Sequence, residues 1–258
     1  MEKSGYPCGL FWVPLLIAAL SGPSCKGGKS DTDPCPPCKN DECRLAEAAH
    51  CAGIRIGVAA APNGEEKHDR LIFTEFDALS AEGAFLWSNV HPQPDVWNFE
   101  AADRLVEFAD RHQMPLLATH FVWDQVINFS TTPQWVKDIN DPEELRRVLR
   151  QHMTTLGNRY GAKVHRWIGV NEPLLYTGTE LFQNHFYKVL GPDYIVEVFQ
   201  MAKEVAPESE WWINDIFLES NPDKADAYVA LVQDLLQKGA PIDGAGVQGH
   251  FFYGEPDF

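Results

Sequence analysis

Apolar residues along this chain gather in short runs that alternate with longer stretches of helical spacing. IRIGVAAA (54–61), PLLATHF (115–121), RWIGVNE (166–172), EWWINDI (210–216) and DGAGVQGH (243–250) are brief, largely apolar and bounded by polar or turn-forming residues, which predicts strands. AFLWS (84–88) predicts a sixth. Between them, DPEELRRVLRQHMTTL (141–156) opens with Asp141 as N-cap, Pro142 at the first helical position and Glu144 closing a capping box; its Leu145, Val148, Leu149 and Leu156 share one face. NPDKADAYVALVQDLLQKG (221–239) begins in the same way at Asn221 and Pro222, carries Tyr228, Val232 and Leu235 at helical spacing, and stops at Gly239. AADRLVEFADRH (101–112) repeats the pattern with Leu105, Phe108 and Ala109.

Strand followed by helix, repeated with both sheet faces covered, predicts an α/β fold with a mainly parallel sheet. That pattern fits a barrel or a doubly wound sheet equally well. The polar residues separate the two. Thr119 and His120, Asn171 and Glu172, Asn214 and Asp215, and Gln248 and His250 all fall at the C-terminal ends of their strands. Four strand ends converging on one polar cavity predict a (β/α)8 TIM-barrel type, of which about six of eight βα units are visible. A doubly wound sheet places its ligand at a switch point, and the chain has no GxGxxG or phosphate loop.

The strand RWIGVNE ends in an amide and a carboxyl. A rigid strand would hold Glu172 at the mouth of the barrel, a setting suited to a general acid. Asn171 before it offers a neutral donor and acceptor for a hydroxyl. Sugar chemistry uses both.

Composition narrows the partners. With 258 residues, 45% hydrophobic and 22% charged, the chain can bury one large core. A formal net charge of −16, with no Lys/Arg-rich run, repels a phosphate backbone, so no nucleic-acid partner is expected and a neutral ligand fits better. No cofactor or metal is expected either.

At the N-terminus, Lys3 precedes the uncharged run LFWVPLLIAAL (10–20), followed by Ser21, Gly22 and Ser24. The run is shorter than the roughly 20 apolar residues that span a bilayer, so residues 1–25 are expected to be a signal peptide. Cys25 after small residues resembles a bacterial lipoprotein cleavage site, although Gly22 and Pro23 depart from that pattern. Membrane attachment through a lipidated Cys25 and simple secretion both stay open, and the location implied is the cell surface or the medium. Residues 26–51 read as a tether rich in Cys, Pro and Gly. Cys35, Cys38, Cys43 and Cys51 contain one Cys-x-x-Cys pair without a second, so disulfides of open connectivity are expected ahead of zinc.

From about residue 52 to 258 the sequence resembles glycoside hydrolase family 10, the β-1,4-xylanase family. FDALSAEGAFLW (76–87) is similar to the segment around that family's Glu-Asn-x-x-Lys-Trp motif. The stretch PDVWNFEAADRLVEFADRHQMPLLATHFVW (94–123) is similar to the one ending in its Gly-His-x-Leu-x-Trp motif. RWIGVNEP resembles its Trp-Asp-Val-Val-Asn-Glu strand. VLGPDYIVEVFQMAKEVAPESEWWINDI (189–216) resembles its Leu-Gly helix and Asn-Asp strand, and GVQGHF (246–251) its Gly-x-Gln-x-His strand. The resemblance implies that Glu172 is the acid/base and that Asn171 bonds the 2-hydroxyl beside the cleaved bond. It further implies that His120 and Trp123 bind the same sugar, with Gln248 and His250 beside a second carboxylate.

A retaining displacement requires that second carboxylate about 5 to 5.5 Å from the first. In the family it lies in a Thr-Glu-x-Asp motif on the strand after Gln-x-His, and the expectation is that this chain lacks it; Glu255 sits in a Gly/Pro stretch. Gly83 and Leu86 stand at the family's Asn and Lys positions, Asp124 and Gln125 follow Trp123 where the family has His and Ser, and Ile168 replaces an Asp. Trp87, Trp97, Trp167, Trp211 and Trp212 read as packing residues. Two functions follow as expectations: a retaining hydrolase of β-1,4-xylan or a related plant polysaccharide, or a non-catalytic carbohydrate-binding or scaffold lipoprotein derived from the same barrel.

Overall fold

The computed structural model describes residues 44–124 and 131–250. Its elements run α1 (Leu45–Cys51), β1 (Gly57–Ala59), α2 (Glu66–Glu75), β2 (Ala78–Ser80), α3 (Trp87–Val90), α4 (Glu100–Arg111), β3 (Leu116–Ala118) and α5 (Gln134–Lys137). They continue with α6 (Pro142–Tyr160), β4 (Arg166–Asn171), α7 (His185–Leu190), α8 (Tyr194–Val205), β5 (Glu210–Asp215), α9 (Pro222–Gln237) and β6 (Gly244–Val247). All strand pairs are parallel and the sheet order is β1-β2-β3-β4-β5-β6. A sheet that adds each strand on the same side is wound in one direction, as a barrel is; a doubly wound sheet would reverse its order. The fold is therefore a partial (β/α)8 barrel.

Strand–helix alternation works because each helix buries an apolar stripe on the sheet. On α6, Leu145, Val148, Leu149 and Leu156 are buried, and Asp141 caps the helix by accepting from Glu144 N at 2.8 Å. The capping box is only half formed, since the Glu144 carboxylate pairs with Arg147 at 2.7 Å instead of returning to Asp141. Asn221 caps α9 by accepting from Lys224 N, and Tyr228 on that helix donates to Ile213 O at 2.8 Å, tying α9 to β5. Inside, Trp167 and Trp211 stack at 6.0 Å, with Phe121 tilted against both. Trp97 stacks on His91 at 3.7 Å, and Trp212 receives Arg166 over its ring. The five tryptophans read as packing residues thus pack.

One expected strand is corrected. AFLWS forms no strand; its chain turns and then enters α3 at Trp87. The missing strand is β2, at residues 78–80, where Ala78, Leu79 and Ser80 are all buried between β1 and β3. Three residues are too few to show an alternation, whereas Phe85 and Trp87 are apolar because they fill the core.

Helix α1 occupies the last part of the stretch read as a tether. Cys51 is disulfide-bonded, and every other cysteine lies outside the described residues. The signal-peptide residues, Cys25 and Glu255 also lie outside them. Among the described residues, no helix is long and apolar enough to cross a membrane.

Candidate active site

The end of β4 sets the centre of the site. Asn171 is its last residue, and Glu172 follows with φ +52°, a left-handed conformation that an L residue adopts only when its surroundings hold it there. The Glu172 N–H donates to Asn214 O at 2.7 Å, and Pro173 has no N–H to offer. Glu172 as a whole is 5% exposed.

Three N–H groups converge on it from three strand ends. Trp123 Nε1 donates to Oε2 at 3.0 Å, Gln248 Nε2 to Oε1 at 2.9 Å, and Asn171 Nδ2 to Oε1 at 3.3 Å. Trp123 reaches it because the chain beyond β3 keeps running beside β4: Val122 N donates to Gly169 O at 3.0 Å and Asn171 N to Val122 O at 2.9 Å. The Trp123 carbonyl is held in turn by the hydroxyls of Thr131 and Thr132. A register shift between Ile168 and Val170 bulges β4 just before the site, which re-aims the residues beyond it.

Asn171 is fixed as well. Its Oδ1 accepts from Asn214 Nδ2 at 2.7 Å and from Gln248 Nε2 at 3.3 Å. The Asn214 amide lies across β6 over Gly246, where a Cβ would fall 2.5 Å from Asn214 Oδ1; only glycine permits that approach.

The two histidines flank this cluster differently. His120 packs against Trp123 with centroids 4.9 Å apart; burial pushes its imidazole down to about 3, so the ring is neutral, and its Nδ1 has no hydrogen-bond partner among the described residues. His250 is exposed, with Nε2 3.1 Å from Gln248 Oε1. The structure therefore joins Glu172, Asn171, Trp123 and Gln248 directly, His120 through Trp123, and His250 through Gln248. Asp124, after Trp123, is paired with Lys137 and accepts from His185 N at 3.1 Å.

Behind the cluster lies a pair of which the sequence marked one member: Asp215 stands at a strand end, whereas its partner Lys224 was not singled out. Asp215 and Lys224 have side chains 0% exposed and meet at 2.8 Å. Burial pushes the Asp215 carboxyl above its ordinary range, against the pull of the ammonium. The signal was present in the sequence: a lysine in the first turn of a helix opposes the helix dipole and needs a partner elsewhere. Beyond β1 and β2, a cavity of about 550 Å³ is lined by Glu82, Gly83, Asn89, Asn98 and Arg104 among others, with Asn89 Nδ2 donating to Gly83 O at 2.7 Å. Among the described residues, no three His, Cys, Asp or Glu side chains group to hold a metal.

The model of "Glycosyl hydrolase family 10" matches residues 44–258. This chain belongs to glycosyl hydrolase family 10. Endo-1,4-beta-xylanase A of Caldicellulosiruptor saccharolyticus is 33% identical over 205 residues, covering 77% of this chain and 58% of the relative. Endo-1,4-beta-xylanase B of Thermotoga neapolitana is 32% identical over 247 residues, covering 93% and 66%. Among solved family 10 folds, xylanase 10B of Thermotoga petrophila RKU-1 in complex with xylobiose superposes with a TM-score of 0.72 at 31% identity, covering 80% of this chain and 63% of that one. The chain thus spans about half to two thirds of the length of the relatives it matches.

Proposed function

We propose that this chain hydrolyses xylan or a related β-1,4-linked plant polysaccharide, with Glu172 as the acid/base. One observation carries the reading: in a family 10 chain, a buried carboxyl is held by N–H donors from three strand ends, beside an amide that is itself fixed. The relatives' names as xylanases support the substrate class. In this reading Glu172 protonates the leaving oxygen, Asn171 bonds the 2-hydroxyl of the sugar at the cleaved bond, and His120 and Trp123 hold that same sugar. A neutral His120 ring offers a hydroxyl one donor and one acceptor. The mechanism is a retaining one, with the attacking carboxylate supplied from outside residues 44–250.

The decisive assay is release of reducing ends from xylan by the protein with that attacking carboxylate present, compared with its Glu172→Gln variant. The expected loss is about 100-fold to 10,000-fold, and smaller on aryl xylosides whose leaving group needs no proton. Equal rates for the two proteins would remove Glu172 from the chemistry. A second reading, a non-catalytic carbohydrate-binding protein, is favoured by one observation: Asp215, the other carboxylate joined to this cluster, is locked by Lys224. Binding of xylo-oligosaccharides without release of reducing ends selects it.

The export of the chain belongs to the same proposal, either by simple secretion or with lipid attachment at Cys25. It rests on Lys3, the run at residues 10–20 and the small residues before Cys25. Fatty-acid labelling that persists in Cys25→Ser would rule out that anchor.

A further inference from the structure

We propose that Lys224 is a positioning residue for Glu172, acting through Asp215 on the turn that aims the carboxyl. The inference rests on Glu172 being the acting group. Because Glu172 is left-handed and Pro173 lacks an N–H, the nearest backbone donors that can anchor the turn are Glu172 N and Leu174 N. The first goes to Asn214 O at 2.7 Å, and the second to Asp215 Oδ2 at 3.1 Å. The conformation of Glu172 is thus stitched to β5 on both sides.

Asp215 can hold that turn only if its other oxygen is fixed. Oδ1 accepts from Ile216 N at 2.7 Å and from Lys224 Nζ at 2.8 Å. Lys224 directs its remaining N–H groups to Ile216 O at 2.8 Å and Tyr176 O at 3.2 Å, so one ammonium ties the loop after β4 to the loop after β5. The Asp215 carbonyl accepts from Gln248 N at 3.0 Å, which places the third strand end whose side chain reaches Glu172. Stability alone is a poor reason for the arrangement. A buried pair replaced by apolar residues of similar volume is often neutral or stabilising, and a lysine in the first turn opposes the dipole of its own helix. What apolar side chains cannot supply is an acceptor for Leu174 N and a donor for Tyr176 O.

The indole N–H of Trp123 donates to Glu172 and therefore reports on where that carboxyl sits, without turnover or sugar. Its ¹H–¹⁵N resonance is followed against pH in the parent chain, in Glu172→Gln to identify the displacement that Glu172 causes, in the isosteric Asp215→Asn, and in the paired Asp215→Leu/Lys224→Met. Asp215→Asn keeps an acceptor toward Lys224 but turns an amide donor on Leu174 N, so the clamp fails on one side. In both folded variants the Glu172-dependent displacement is expected to shrink by about half or more, because hydrogen bonds weaken steeply with distance and angle. The Leu174 amide is expected to exchange about tenfold faster or more. A folded variant with the parent's Trp123 displacement overturns the proposal. Unfolding of both variants overturns it too, since the pair would then serve the fold and not the site. A chain that neither binds nor cleaves xylan defeats the functional reading and leaves this result standing.

Discussion

Glu172 is bonded by groups that arrive from three different segments, and each of them has its own support. Trp123 is the most telling, because the residue expected to bind a sugar also directs its N–H at Glu172. Trp123→Phe keeps the ring and deletes that N–H. Glu172 becomes charged as it gives up its proton, and a hydrogen bond to a charged group contributes about 1.5 to 3 kcal/mol, so kcat on xylan is expected to fall about tenfold to 100-fold with KM changed little. An unchanged kcat would show that the indole serves only to pack. The residues of the cluster were legible in the sequence because each stands where an apolar run stops: Asn171 and Glu172 after RWIGV, Gln248 after GAGV. Lys224 was legible only in part: its place in the first turn of a helix is unfavourable for a cation, but tertiary packing decides which group it faces.

At the scale of elements, start signals carried most of the information. Asp141 and Asn221 both cap as their sequences predict, because a side-chain oxygen satisfies an N–H that the first turn leaves open. Asp141→Ala is expected to lower stability by about 1 kcal/mol, read as a shifted urea midpoint with an unchanged slope. No shift would mean that the Glu144 N–H finds another acceptor. Strands were legible where a longer apolar run surrounded them. β4 and β5 fill their runs, and the three-residue β1 and β3 lie within IRIGVAAA and PLLATHF, whereas the three residues of β2 stand in no such run. The register shift in β4 was invisible too, since it depends on pairing with β5 and not on local composition.

For the whole molecule, strand order followed from the strand–helix alternation and from polar residues gathered at one set of strand ends. The burial of imidazoles did not. His152 lies between Trp87, stacked at 4.1 Å, and the edge of Phe121; His91 is stacked on Trp97, and His120 adjoins Trp123. Burial lowers all three below the ordinary 6.5, with His91 adding to the effect at His152. The unfolded chain then takes up protons that the folded chain refuses. Stability is therefore complete above about pH 6.5 and falls as pH drops below it, by at most about 1.4 kcal/mol per pH unit for each ring. Urea unfolding between pH 7.5 and 5 is expected to show that slope, and His152→Phe to reduce it. A slope unaffected by that substitution would contradict the assignment.

If Glu172 stands over the bond to be cleaved, a crystal structure of Glu172→Gln bound to a xylo-oligosaccharide will show it. A glycosidic oxygen is expected about 3 Å from the side chain of residue 172, with the Asn171 amide on the adjacent 2-hydroxyl. A sugar bound away from the ends of β3, β4 and β6, or one whose glycosidic oxygens all lie out of reach of residue 172, would contradict it.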